Sequence, residues 1–272
     1  MKFVLAIALF SVIFFLLVLV FLYTRQEKMI FLSEKLPRQF VFNFPGEYEE
    51  RFFKPESGIS IHALHFRNPN PKGVLFYFHG NAGSMASWGQ WAQLFLDYNY
   101  DVVMYDYRGY GKSSGMIKDE QSIHSDAEYI YQRIIPEYAD KQVIFYGRSL
   151  GTGIAASLAT RYQPDQLVLV TPYFNFEDVV SHHYPYVPVT ILLKYKFTTD
   201  AFLPGLECPI YLIHGTEDEV IPYESSVKLA DLGDHIELTT IPGATHMDLP
   251  DFPVFREALE QIFGKEEDKQ EE

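Results

Sequence analysis

The chain has 272 residues, 47% of them hydrophobic, so it can bury one sizeable core and is not a disordered protein. Its formal net charge of −14 excludes broad nucleic-acid binding, because neutralising phosphates requires an excess of Lys and Arg. The single cysteine, Cys208, excludes an intrachain disulfide and is predicted to be a small core residue rather than a catalytic thiol.

The first segment predicts a membrane anchor over residues 1–24. Residues 3–23 carry no charge, and about 20 apolar residues are enough to span a bilayer as a helix. The following "TRQEK" is a poor cleavage site, which favours an uncleaved anchor over a signal peptide. Lys and Arg are more frequent after the run, so the positive-inside rule places the bulk of the chain in the cytoplasm. Large domains can cross regardless of charge, and the side of the membrane stays open.

A juxtamembrane linker is expected over residues 25–38, followed by one domain over residues 39–264. The domain begins with predicted strands at residues 40–44, 50–54 and 59–66. Partial alternation in the last of these suits an antiparallel edge. The next apolar run, "GVLFYFHG", is typical of a strand that is covered on both faces.

Strands and helices then alternate along the chain. Helices are predicted over 87–98, 122–135, 150–162, 224–232 and 254–263, and strands over 101–107, 142–147, 166–172, 209–215 and 236–242. This order indicates the α/β class, with a mostly parallel central sheet and helices on both faces. An aromatic insertion, residues 172–207, predicts a small cap, and residues 265–272 form an acidic tail. Ligands of such sheets bind at the carboxyl ends of the strands.

Ser149 lies at one such strand end, in "YGRSLGTG". A strand that turns at once into a helix strains the backbone of the turn residue and leaves no room for neighbouring side chains. Gly147 and Gly151 meet that steric demand. The pattern therefore predicts a G-x-S-x-G nucleophile elbow, with the serine hydroxyl above the sheet and a helix N-terminus beside it.

A serine nucleophile needs a base, and the base needs an orienting carboxylate. The next two strand ends supply Asp218, in "HGTEDEVIP", and His246, in "GATHMDL". Their chain order, Ser then acid then His, is that of the elbow fold. Glu217 and Glu219, the neighbours of Asp218, are alternative acids.

Other acidic and histidine side chains near the strand ends have more ordinary interpretations. Asp178 follows the preceding strand and is a further candidate acid, whereas Asp248 is expected to bond nearby backbone. His214 is interpreted as a satisfied, partly buried imidazole. His182 and His183, in the insertion, are expected at the surface, where they could touch substrate. Four further histidines fall outside the predicted cluster: His62, His65, His124 and His235.

An oxyanion hole requires backbone N–H donors aimed at developing negative charge. Leu150, directly after the nucleophile, is one predicted donor. Asn81 is the other, in the loop "HGNAGS", where Gly80 and Gly83 allow close backbone approach. No metal motif is present, and no cofactor is expected.

Five segments carry a resemblance to a known family: "FYFHGNAGS", "YDYRGYGKSSG", "YGRSLGTG", "HGTEDEVIP" and "GATHMDL". In this order they resemble the α/β-hydrolase superfamily, and more narrowly its membrane-anchored serine hydrolases. The resemblance implies an α/β-hydrolase fold, a Ser149–Asp218–His246 triad, and Asn81 and Leu150 as oxyanion donors. Thr152 departs from the glycine of many relatives and puts the helix packing there in question.

The expected activity is hydrolysis of acyl esters or thioesters through an acyl-enzyme, and the alternative is a serine peptidase for short peptides. The expected partners are a small-molecule or lipid-like acyl substrate and the membrane, with no nucleic acid. The aromatic residues of the cap have two interpretations, an apolar slot for an acyl chain or simple packing onto the sheet.

Overall fold

The structure is a computed structural model that describes residues 1–264, so the predicted acidic tail, residues 265–272, lies outside the described residues. The first half contains, in chain order, α1 (Lys2–Ile30), β1 (Leu32–Ser33), β2 (Glu47–Phe53), β3 (Ile61–Arg67), β4 (Gly73–Phe78), β5 (Ala82–Gly83), α2 (Met85–Trp88), α3 (Ala92–Leu96), β6 (Tyr100–Tyr105) and α4 (Glu120–Ile134).

The second half contains β7 (Gln142–Arg148), α5 (Gly151–Tyr162), β8 (Gln166–Val170), α6 (Phe176–His183), α7 (Val189–Leu192), α8 (Thr199–Phe202), β9 (Ile210–Gly215), α9 (Glu224–Ala230), β10 (Ile236–Ile241) and α10 (Pro253–Phe263). Eight strands form one sheet in the order β10-β9-β8-β7-β4-β6-β3-β2. The strands from β10 to β6 are parallel, and β3 and β2 are antiparallel additions at one edge.

The sheet is buried between two apolar layers. Phe76, Phe145 and Leu169 face a layer that includes α4 and α5, while Tyr77 and Tyr146 face a layer that includes α3 and α10. Strands covered on both faces need apolar side chains at every position, which explains the continuous runs of Val, Leu and Phe. This is the α/β-hydrolase architecture that the sequence predicts.

Most predicted strands and helices agree with the structure to within three residues at each end, and three differ. Residues 40–44 are not a strand: their aromatic rings pack by face and edge, with Phe42 stacked on the His62 ring. The helix predicted over 87–98 is broken into α2, a short 3₁₀ turn and α3, where Gly89 lies against the Phe44 ring. The strand predicted at the antiparallel edge, residues 59–66, is β3. It lies inside the sheet, and β2 forms the edge.

α1 is long and apolar enough to cross a membrane, and it is the one such helix in residues 1–264. Its side chains are exposed over most of its length, but Ile30 and Phe31 at its end enter the core. Residues 25–30 of the expected linker therefore continue the helix. The short strand β1 then pairs with β5, in the loop that follows β4.

Candidate active site

The turn between β7 and α5 has the strained geometry expected of an elbow. Ser149 has a φ of +52°, a left-handed conformation that non-glycine residues rarely adopt. A Cβ on Gly147 would come within 2.6 Å of the Gly151 carbonyl oxygen, and one on Gly151 within 2.0 Å of the Phe78 carbonyl oxygen. Only glycine fits at positions 147 and 151, because the backbones of β7, β4 and α5 meet there.

Hydrogen bonds hold the elbow in this conformation. The Ser149 N–H donates to the Val170 carbonyl at 2.9 Å, which ties the turn to β8. Thr152, the residue that departs from the glycine of many relatives, is fully buried, and its Oγ1 donates to the Ser149 carbonyl at 2.7 Å. The threonine therefore adds a bond that closes the elbow.

The three predicted triad residues lie together at the carboxyl edge of the sheet. His246 Nδ1 lies 2.7 Å from Asp218 Oδ2, and His246 Nε2 lies 3.1 Å from Ser149 Oγ. Because a carboxylate only accepts hydrogen bonds, Nδ1 carries the proton and the Nε2 lone pair faces the serine hydroxyl. This is the geometry in which an imidazole can remove the hydroxyl proton.

Asp218 is held as an ionised, fixed acceptor. Its Oδ1 accepts the N–H groups of Val220 and Ile221, each at 2.8 Å. Burial alone would raise the pKa of Asp218, but hydrogen bonds from His214, His246 and the Ile221 N–H outweigh it and hold that pKa well below its usual range. The Asp218 carboxylate therefore stays charged at neutral pH, where it accepts the hydrogen bond from His246 Nδ1.

His214 contacts the same carboxylate, which the sequence did not predict. It is fully buried, and its Nε2 lies 3.1 Å from Asp218 Oδ2 and 3.1 Å from the Ile221 carbonyl. Both neighbours are acceptors, so Nε2 donates, while Nδ1 lies 2.6 Å from the Ser226 hydroxyl. The imidazole is satisfied, as expected, and also steadies the acid. Its position four residues before Asp218 at the same strand end was the available signal.

The sequence also did not predict a role for Arg148, which directly precedes Ser149. Its guanidinium is buried against the rings of Trp88 and Trp91 and donates to the carbonyls of His246 and Met247 at 3.4 and 3.3 Å. It therefore joins the serine turn to the histidine loop. A charged residue ending an otherwise apolar buried strand was the signal in the sequence.

The alternatives to Asp218 as the acid make no contact with His246 among the described residues. Glu217 and Glu219 are exposed, and Asp178 forms an ion pair with Lys228 at 2.8 Å. Asp248 accepts the Thr245 N–H at 2.7 Å, as predicted.

The two cap histidines and four others make their contacts away from Ser149. Both cap histidines are exposed, and His183 Nε2 lies 2.8 Å from the Val220 carbonyl. Four histidine side chains form hydrogen bonds or pack in other parts of the fold: His62, His65, His124 and His235. No three His, Cys, Asp or Glu side chains among residues 1–264 are grouped so that they could hold a metal ion.

The two predicted oxyanion donors come from two separate segments of the chain. Leu150 precedes the first turn of α5, whose dipole favours negative charge at this end. Asn81 follows Gly80, where an added Cβ would lie 3.6 Å from the Ser149 Cβ. The Asn81 carbonyl accepts from the Leu32 N–H and the Tyr110 hydroxyl, at 2.9 and 2.7 Å. Within residues 1–264 neither predicted donor N–H makes a hydrogen bond, so neither is committed to another acceptor.

Comparison with known proteins relates the chain to serine hydrolases. The family described as "Serine aminopeptidase, S33" matches residues 69–199. The human alpha/beta hydrolase domain-containing protein 17B is 30% identical over 248 residues, which cover 86% of this chain and 82% of that protein. The lysophosphatidylserine lipase ABHD12 of Danio rerio is 28% identical over 66% of this chain and 57% of its own length. For the Mus musculus ABHD12 the share of that protein is 45%, so this chain spans about half the length of these lipases.

Solved structures share the fold. An esterase from Pyrococcus furiosus superposes with a TM-score of 0.63 and 17% identity, covering 85% of this chain and 98% of its own. An alpha-beta serine hydrolase homologue from Coxiella burnetii gives a TM-score of 0.60 and 17% identity, over 83% of this chain and 97% of its own. At these identities the likeness concerns architecture alone.

Proposed function

We propose that this chain, which belongs to the α/β-hydrolase domain-containing family of serine hydrolases, cleaves acyl ester or thioester bonds through Ser149, His246 and Asp218. One observation carries the proposal. A continuous hydrogen-bonded path runs from Ser149 Oγ through His246 to Asp218 Oδ2, with steps of 3.1 and 2.7 Å. It lies at the strand ends, where the fold binds ligands.

In the proposed reaction, Ser149 Oγ attacks the substrate carbonyl while His246 Nε2 takes its proton. The Asn81 and Leu150 N–H groups bind the oxyanion, and each preorganised donor of this kind lowers the barrier by about 3 kcal/mol. His246 then protonates the departing alcohol or thiol. A water that His246 deprotonates hydrolyses the acyl-enzyme and regenerates the free hydroxyl.

The proposed substrate is lipid-like and is met at a membrane. α1 is apolar enough to act as a single membrane span, and the similar ABHD12 proteins are named as lysophosphatidylserine lipases. We expect the full chain to stay in the membrane pellet after alkaline carbonate extraction. Release into the supernatant would contradict the proposal that α1 anchors the chain in a membrane. It would leave the proposed hydrolysis reaction unaffected.

The second candidate is a peptidase, which the description of the matching family favours. A panel of acyl esters, acyl thioesters and aminoacyl amides, given to the full chain in lipid nanodiscs, separates the two. We expect turnover of esters or thioesters that is lost in Ser149→Ala. Turnover confined to the amides would overturn the esterase proposal in favour of the peptidase.

A further inference from the structure

The end of α1 is attached to the cap by hydrogen bonds. Gln26 is buried, its Nε2 donates to the Leu192 carbonyl at 2.6 Å, and its Oε1 accepts the Lys194 N–H at 2.9 Å. Glu27 forms an ion pair with Lys194 Nζ at 3.1 Å. A polar residue that bonds two backbone groups of another element fixes the orientation of both, so α1 and the cap form one unit here.

The same end of α1 is attached to the predicted oxyanion loop. Asn81 Nδ2 donates to the Ile30 carbonyl at 3.0 Å, and the Leu32 N–H donates to the Asn81 carbonyl at 2.9 Å. The Glu34 N–H adds a bond to the Gly83 carbonyl at 2.9 Å. The segment that leaves α1 therefore pairs directly with the backbone that lies beside the nucleophile.

An apolar groove of about 210 Å³ lies between these attached parts. Its walls include Leu22 and Met29 of α1 on one side, Val180, Val187 and Leu192 of the cap on the other, and Asn81 at one end. Asn81 adjoins Gly80, where an added Cβ would lie 3.6 Å from the Ser149 Cβ. A lining residue of the groove is thus the chain neighbour of Gly80, and the α1 wall continues into the exposed apolar surface of that helix.

We propose that this groove binds the acyl chain of the scissile ester or thioester, with α1 as one wall of the substrate site rather than a passive tether. The inference rests on the hydrolase activity proposed above. The lining is mostly apolar, and the volume is smaller than the roughly 300–1,000 Å³ of sites for larger ligands, so the groove fits a single chain. The chain enters along α1 from the bilayer, without crossing water, and its carbonyl reaches Ser149 past Asn81.

Chain-length selectivity of the full-length protein in phosphatidylcholine nanodiscs tests the groove. The measured quantity is the ratio of kcat/KM for p-nitrophenyl octanoate to that for p-nitrophenyl acetate. Each buried methylene raises kcat/KM about fourfold, so displacing two of them lowers the ratio about 15-fold. We expect this drop in Val180→Trp, from the cap wall, and in Leu22→Trp, from the α1 wall.

Each groove variant has a matched control that adds the same ring outside the groove. Ile191 is exposed on the cap, and Val20 is exposed on α1, two residues before Leu22. Ile191→Trp and Val20→Trp should keep the native ratio. A native ratio in both groove variants, or an equal drop in the controls, would overturn the inference.

A binding measurement separates failure of the groove from failure of the chemistry. A diazirine-bearing fatty acid, photolysed with full-length Ser149→Ala protein in nanodiscs, should crosslink to peptides that contain residues 22–29 and 176–193. Crosslinks confined to other peptides would overturn the groove. Crosslinks at these peptides, together with a native chain that hydrolyses none of the esters, would locate the failure in the proposed chemistry instead.

Discussion

Two buried histidine–carboxylate networks lie near opposite ends of the same sheet. One joins His246 to Asp218 at the carboxyl ends of the strands, and the other brings His65 to 3.8 Å from Asp101 near the amino end of β6. In the second network His65 Nε2 lies 2.6 Å from the Tyr138 hydroxyl and Nδ1 lies 3.1 Å from Arg51 Nη1. Both ring nitrogens of His65 are occupied by structural partners.

The difference shows that a buried histidine beside a carboxylate is not by itself an active site. Burial, together with the neighbouring Arg67, lowers the pKa of His65 to about 3 and keeps the ring neutral. Arg67 also donates to Asp101 at 3.3 Å, and the Tyr138 hydroxyl donates to the same carboxylate. The His246 network instead ends at the Ser149 hydroxyl, the proposed nucleophile.

The largest difference between the two networks is expected from His246→Ala, which removes the proposed base. We expect kcat/KM for an ester substrate to fall about 10⁵-fold, because Ser149 then has no group to take its proton. Asp218→Asn keeps the shape of the acid and should cost about 10³- to 10⁴-fold. Steady-state kinetics measure both effects, and a loss below tenfold in His246→Ala would remove the distinction between the two networks.

A smaller catalytic effect is expected at His214, which steadies Asp218. His214→Ala should lower kcat about 10- to 100-fold with little change in KM, because the acid loses one of its fixed donors. Gln at this position offers an amide N–H toward Asp218 Oδ2, so His214→Gln should recover most of kcat. Equal losses in the two variants, matched by equal losses of thermal stability, would show that the imidazole only fills space.

Tyr138→Phe tests the structural network. It removes a hydroxyl that bonds His65, Arg67 and Asp101 and leaves their buried polar atoms short of partners. We expect the free energy of unfolding to drop by about 2–3 kcal/mol, with kcat/KM within twofold of the native value. Denaturant titration and ester kinetics on the same preparation measure the two quantities. A selective loss of activity would contradict the assignment.

The last expected effect is a pH dependence of stability from His65. Its pKa is lowered from 6.5 to about 3, so below pH 6.5 the unfolded chain binds a proton that the folded chain excludes. Stability from this group is complete above pH 6.5 and falls by about 1.4 kcal/mol per pH unit as the pH drops toward 3. His65→Gln cannot titrate, so its stability should fall less steeply than that of the native chain between pH 6 and 4. Equal slopes of unfolding free energy against pH in the native chain and in His65→Gln would contradict this contribution of His65.

The juxtaposition of Ser149, Asp218 and His246 could be predicted because each follows the end of a strand, and the sheet brings strand ends together. The contacts of Arg148 and Gln26 could not be, because their partners lie 98 and 166 residues away and no local pattern identifies those partners. Residues 40–44 were misjudged as a strand for a related reason. Alternating aromatic residues have the same pattern whether they pair in a sheet or pack across its face.

The most direct test of the central claim is the site and rate of labelling by a fluorophosphonate, which reacts with activated serines. Mass spectrometry of the labelled full chain should find the adduct on Ser149, with no adduct at that peptide in Ser149→Ala and a rate at least 10³-fold lower in His246→Ala. Undiminished labelling in His246→Ala, or an adduct on a different serine of the native chain, would contradict the claim that His246 activates Ser149.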